Sequence, residues 1–163
     1  MVTNPGPEGT PLPRGAEIFR LFRATNDGQC PPEAFHLSSE DKTQAVPRLS
    51  VWETTNTTCA EADGLTSQRY GMAAFLLVDE VRQLRPEPDH PGVLNLDVEW
   101  EAATELVGGV RMRVDKPGAS GHCGITRLNQ ERSADGNSLK SFRKSLYARL
   151  ARLANGRRVE RLR

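Results

Sequence analysis

Residues 138–156 read SLKSFRKSLYARLARLANG. Leu139, Phe142, Leu146, Leu150 and Leu153 recur at steps of three and four, which aligns them along one side of an α-helix. Lys140, Arg143, Lys144, Arg149 and Arg152 fill positions between them, so the predicted helix has an apolar stripe and a cationic remainder. Asn155-Gly156 is a suitable stop. A helix of this kind has to bury its stripe against another layer, and the segments before it read mainly as strands.

Glu17 to Ala24 carries Ile18, Phe19, Leu21 and Phe22, apolar groups on both faces of a strand covered on both sides. Asn26-Asp27-Gly28 turns the chain. Pro31-Pro32 blocks a helix, and a short extended piece follows at Ala34 to Leu37. Arg48 to Trp52 is a second strand with Leu49 and Val51 on one face. Thr58-x-x-Glu61 fits a capping box before a short helix that Gly64 limits. Gly71 to Val78 is a buried strand, and Asp79 caps a helical turn through Leu84 that ends at Arg85-Pro86. In Val93 to Glu101, Leu94, Leu96, Val98 and Trp100 share one face, while Asn95, Asp97, Glu99 and Glu101 share the other. Gly109 to Val114 alternates Val110, Met112 and Val114 with Arg111 and Arg113. A hairpin between these two segments sets Glu99 opposite Arg111 and Asp97 opposite Arg113, pairs worth ~0.2–1 kcal/mol each. His122 to Thr126 is a last short strand.

The expected fold is therefore α+β: a mainly antiparallel sheet of about five or six strands with a long C-terminal amphipathic helix packed on it. The chain of 163 residues divides into a disordered Pro/Gly-rich leader (1–15), one domain (16–155) and a basic tail (156–163). The longest apolar run, Met72 to Val78, is far short of the ~20 residues of a membrane span. Without a signal peptide or a paired set of cysteines, the expected setting is cytoplasmic.

The net charge of +1 conceals a division. Up to Trp100 there are eight Lys and Arg against fifteen Asp and Glu, a net of −7; from Glu101 onward there are fourteen against six, a net of +8. Arg143, Lys144, Arg149, Arg152, Arg157 and Arg158 head the basic C-terminal region. Such a segment binds phosphate backbones or another anionic surface through charge. It can equally be a solvated helix face, or meet the acidic half of a second copy.

Several residues are candidates for chemistry. Arg23 closes the face of the first strand that holds Phe19 and Leu21. His122, between Gly121 and Cys123 at a loop-to-strand junction, is placed for acid, base or anion-donor work where backbone approaches a ligand closely. His36 is the second placed histidine, and His90 reads as a loop residue. The Asp97, Glu99 and Glu101 row suits a cation or an ion-pair ladder. Cys30, Cys59 and Cys123 fit no zinc spacing and read as small apolar filler, so no metal is expected.

The order Phe22-Arg23, Ala34-Phe35, Leu49-Ser50-Val51, Val81-Arg82-Gln83-Leu84 and His122-Cys123-Gly124-Ile125 resembles a loose set of small uncharacterised bacterial proteins over roughly residues 18–127. That resemblance implies a compact α+β fold and no activity. A second resemblance, to ADP-ribosyltransferases, rests on Arg23, Ser50 and Glu99-Trp100-Glu101 in that order, although Trp52 stands where that family has another hydroxyl residue. It implies an NAD-consuming enzyme or toxin with Arg23, Ser50, Glu101 and His122 in its site, and a concave pocket lined by Arg23 and His122. The leading expectation is instead an accessory binding domain without a cofactor. Its basic C-terminal helix would contact a protein partner or nucleic acid, with self-association as a further possibility.

Overall fold

An antiparallel strand shows alternate residues to opposite faces, and that alternation organises the whole molecule. The computed structural model describes residues 5–66, 70–85 and 90–162. Pro86, Asp89, Arg163 and the first four residues of the leader lie outside the described residues. In chain order the elements are β1 (Glu17–Phe22), a 3₁₀ turn (Pro32–Phe35), α1 (Ser39–Lys42), β2 (Arg48–Glu53), α2 (Cys59–Gly64), β3 (Met72–Leu77) and α3 (Val78–Arg82). Then follow β4 (Asp97–Trp100), β5 (Thr104–Val107), β6 (Val110–Arg113), a second 3₁₀ turn (Ala119–Gly121), β7 (His122–Thr126), α4 (Lys140–Arg157) and β8 (Arg158–Arg161). Six strands form one sheet in the order β4-β7-β2-β1-β3-β8, and β5 and β6 form a separate hairpin. All pairings are antiparallel. The α+β class with a C-terminal helix on an antiparallel sheet is as expected.

One face of the sheet presents Ile18, Phe22, Leu49, Val51, Met72, Leu76, Val98, Trp100, Cys123 and Ile125. These join Phe142, Leu146, Leu150, Ala151 and Ala154 of α4 in the main core. On the other face, Phe19, Leu21, Trp52, Ala73 and Phe75 gather under Ala62 of α2 in a smaller core. β1 is thus covered on both sides. The remainder of this second face, over β2, β7 and β4, is polar.

Arg20 of β1 points to the α4 side, among apolar residues. Its guanidinium donates from Nε to the Ala34 carbonyl and from Nη1 to the Ser50 carbonyl, both at 2.9 Å. It thereby clamps the first 3₁₀ turn to β2. That turn corrects the extended reading of Ala34 to Leu37. Pro32 opens it as its first residue, where the missing N–H has no partner to lose.

The expected hairpin between residues 93–101 and 109–114 does not form. β4 pairs with β7, and β6 pairs with β5 in the register Val107↔Val110. Gly108 and Gly109 both have positive φ, 58° and 81°, which is what a tight two-residue hairpin turn requires. The local turn wins over the weak cross-strand charge pairs. Asp97 instead bonds Arg82 at 2.6 Å.

α4 runs through Asn155 and Gly156 to Arg157. Asn155 does not end it but clasps Cys30: the Cys30 amide donates to Oδ1 at 2.8 Å, and Nδ2 donates to the Cys30 carbonyl at 3.0 Å. The segment expected as a free basic tail is the edge strand β8, paired with β3 from Arg158 to Arg161.

The leader also differs from expectation. The Gly9 amide donates to the Trp100 carbonyl, the Trp100 amide to the Thr10 carbonyl and the Leu12 amide to the Val98 carbonyl, at 2.8–2.9 Å. Residues 9–12 therefore run along the outer edge of β4. Pro11 is tolerated there because an edge position needs no amide facing outward. Leu12 is 2% exposed. Leu12→Ala is expected to cost about 2–5 kcal/mol of unfolding free energy in a urea titration. A leader that merely hangs from the domain would leave the midpoint unchanged.

Candidate functional site

The polar half of the second face is built by three neighbouring strands. Arg48 of β2 donates from Nε and Nη2 to Glu99 Oε1 at 3.1 and 3.0 Å, and from Nη1 to Glu101 Oε2 at 3.2 Å. It reaches across β7 to do so. Gly124 makes the crossing possible, because a Cβ there would lie 2.5 Å from Arg48 Cβ. Ser50 stands directly opposite Gly124 in the β2–β7 register.

His122 begins β7 opposite Trp52, whose ring centroid is 4.7 Å from the imidazole. The loop before it is fixed by Thr57, whose hydroxyl donates to the Gly118 carbonyl at 2.5 Å. A Cβ on Gly121 would meet Thr57 Oγ1 at 1.9 Å. The close approach expected at this junction is thus made by Thr57.

The His122 ring has a fixed polarity. Nδ1 lies 3.1 Å from the Glu101 carbonyl oxygen, and Nε2 lies 3.1 Å from Ser50 Oγ. A carbonyl can only accept, so Nδ1 carries the hydrogen and Nε2 accepts from the Ser50 hydroxyl. The ring is 8% exposed. Burial pushes its pKa down to about 4, against the raising effect of the Glu101 carbonyl bond and of the Asp41 and Glu8 charges. The ring is therefore neutral at pH 7. Burial raises the Glu101 carboxyl above its ordinary value, and Arg48 opposes the shift. Beside these groups lies a cleft of about 830 Å³ whose lining includes Glu8, Trp100, Glu101, Arg113, Lys116 and His122.

Of the four residues expected in a catalytic site, Ser50, Glu101 and His122 converge. Arg23 does not join them. It lies exposed past the end of β1, without a hydrogen bond or ion pair among the described residues, and the cleft has no Arg23 in its lining. Arg48 supplies the cation in this region, a residue outside the expected set. The signal was present: Arg48 shares the Ser50 face of the strand by simple alternation. His36 is exposed and stacks on Tyr147 at 4.3 Å, and His90 meets Phe142 edge-on at 5.8 Å. Burial pushes the Cys30 and Cys59 thiols up to about 12 and about 11, so neither is a nucleophile at neutral pH.

The basic region divides in two. Arg157 and Arg158 meet Glu17 at 2.6 and 3.6 Å, and Arg158 also lies 3.8 Å above the Phe75 ring. Arg143 donates to the Gln130 carbonyl at 2.7 Å. By contrast, the Lys140, Lys144, Arg149 and Arg152 side chains make no hydrogen bond or ion pair among the described residues. Lys140, Lys144 and Arg152 are exposed and Arg149 is half-buried.

No helix among the described residues is long and apolar enough to cross a membrane. No family model, curated protein or solved structure matches the chain.

The neutral, buried His122 has a thermodynamic consequence. Its pKa is about 4 folded and near 6.5 unfolded. Between those values the unfolded chain takes up a proton that the folded one refuses, so stability falls as pH falls from about 6.5 to about 4. The full effect is roughly 3 kcal/mol. The Glu101, Asp41 and Glu8 charges that act on the ring are present in both proteins compared, so the comparison isolates His122. Urea unfolding of wild type and His122→Gln is expected to show a stability gap that narrows from pH 7 to pH 4.5. A gap independent of pH would refute the buried neutral ring.

Proposed function

We propose that the chain is a nucleic-acid-binding domain that presents the solvent face of α4 to a phosphate backbone. The observation that carries this reading is the set of four cations, Lys140, Lys144, Arg149 and Arg152, left without partners among the described residues on one helix. Lys140 and Arg152 are twelve residues apart, which is about 18 Å along the axis. Lys140 and Lys144 are one turn apart. The four follow at steps of four, five and three residues and spread over about half of the helix circumference, a cationic surface broad enough to meet a phosphate backbone.

Two further facts favour phosphate over an acidic protein. The large exposed hydrophobics are Val46, Leu94, Leu106, Val107, Val110 and Met112, and none is on α4. A protein interface needs such an anchor near its centre, whereas phosphate contacts do not. The carboxylates of Asp97, Glu99 and Glu101 stand on the sheet face turned away from α4. A polyanion would meet the molecule with the helix forward.

The test is fluorescence anisotropy with labelled duplex DNA and single-stranded RNA. Four phosphate contacts predict an affinity loss of about 100-fold between 50 and 200 mM salt. The Lys144→Ala, Arg152→Ala double variant should flatten that dependence by roughly two contacts. Arg157→Ala should leave it unchanged, because Arg157 already pairs with Glu17. No binding to either nucleic acid at 50 mM salt overturns this reading, and would return the face to an acidic protein or a second copy.

A further inference from the structure

Extended backbone shows successive side chains to opposite sides. Phe35 and Leu37 are both buried in the main core, so His36 between them has to face outward. Its backbone is extended (φ −75°, ψ 135°), and its amide donates to the Glu33 carbonyl at 3.2 Å, just past the first 3₁₀ turn. Arg20 clamps that turn to β2 through the Ala34 carbonyl. An exposed histidine is thus carried on a fixed piece of chain. Its ring leans on Tyr147 of α4, with centroids 4.3 Å apart and planes inclined at 51°.

Tyr147 is half-buried and packs against the main core. It follows Lys144 by three residues and Lys140 by seven, which sets it within roughly 60° of both around the helix. The two exposed lysines that begin the cationic face of α4 are therefore flanked by an aromatic pair. His36 and Tyr147 are far apart in sequence, so only folding brings a second ring to the basic segment.

Cations alone hold any polyanion. A ring beside them offers something that phosphate does not use, a flat surface for the face of a base. In a duplex those faces are stacked inside, whereas in a single strand they can turn out. A packing role alone would place the imidazole under cover, and His36 is exposed.

We propose that His36, supported by Tyr147, is a stacking platform, and that the nucleic acid held by α4 is single-stranded. Backbone phosphates lie along Lys140 and Lys144 while a base turns onto the His36 ring. The inference rests on the α4 reading and narrows it to an unpaired strand. Stacking on a ring accepts every base, so little sequence preference accompanies it.

The experiment measures fluorescence anisotropy of the full-length chain with three labelled DNAs: a single strand, an abasic strand of the same length, and the single strand annealed to its complement. The wild type is expected to hold the ordinary strand about 10-fold or more tighter than the abasic one. His36→Ala should bring the ordinary strand close to the abasic affinity, with its urea midpoint unchanged. It should leave abasic binding, duplex binding and their salt dependence as in the wild type. His36→Phe keeps a ring and should keep the preference. Equal wild-type affinity for ordinary and abasic strands overturns the proposal. So does a His36→Ala variant that retains the preference or weakens single strand and duplex alike, or a His36→Phe variant that loses it. In each of these cases salt-dependent binding survives, and the α4 reading stands. Absence of binding to all three DNAs overturns both.

Discussion

One guanidinium holds the polar half of the sheet together. Arg48 is the cation that binds both Glu99 and Glu101, and its own side chain is 11% exposed. The carboxylates sit on β4 and the arginine on β2, with β7 between. Their contact therefore fixes three strands at once. A one-residue slip of β2 would turn Arg48 and Ser50 toward α4 and bring Leu49 and Val51 out. Loss of the guanidinium would leave two carboxylates on a half-buried surface, the situation in which breaking a pair costs about 3–5 kcal/mol in a fully buried setting and less here. The His122 ring depends on the same arrangement, because the Glu101 carbonyl that fixes its tautomer is carried by this chain segment.

Periodicity made most of this architecture legible. The stripe of Leu139, Phe142, Leu146 and Leu150 packs as its spacing requires, and the alternation in β2, β4 and β7 sorts core from polar residues correctly. Partner choice was harder to read. Charge pairing proposed one partner for Gly109 to Val114, whereas Gly108-Gly109 demanded another. A two-residue turn closes with almost no loop entropy, while the alternative hairpin needed a longer connection. The Thr58-x-x-Glu61 capping box was readable because it is local. The edge pairing of residues 9–12 was not, because Pro and Gly content signals the lack of a ladder but says nothing of a single buried Leu12.

The site followed the same division. Ser50, Glu101 and His122 were recognisable as chemical types, but they come from strands distant in sequence and adjacent only through the order β4-β7-β2. Arg23 stands out in the sequence by its place at a strand end, whereas Arg48 is the arginine that pairs with Glu99 and Glu101. Their difference lies in what stands opposite. Gly124 leaves a channel across β7 for the Arg48 stem, and no property of Arg48 itself announces that. Likewise the basic C-terminal residues look alike in sequence. Only folding shows that Glu17 occupies Arg157 and Arg158 while Lys144 and Arg152 have no ion pair among the described residues.

The sheet thus separates two kinds of electrostatics. On the α4 side, exposed cations act through solvent, where salt screens them over about 8–10 Å. On the opposite side, His122 and Ser50 act through one hydrogen bond between uncharged groups, one of them nearly sealed from water. Ionic strength weakens the first and leaves the second almost untouched. Acidity acts on the second through His122, whose pKa burial holds down at about 4. The Arg48 pairs with Glu99 and Glu101 lie between these limits: they are ionic, but with side chains 11–20% exposed they are screened less by salt than the open cations of α4.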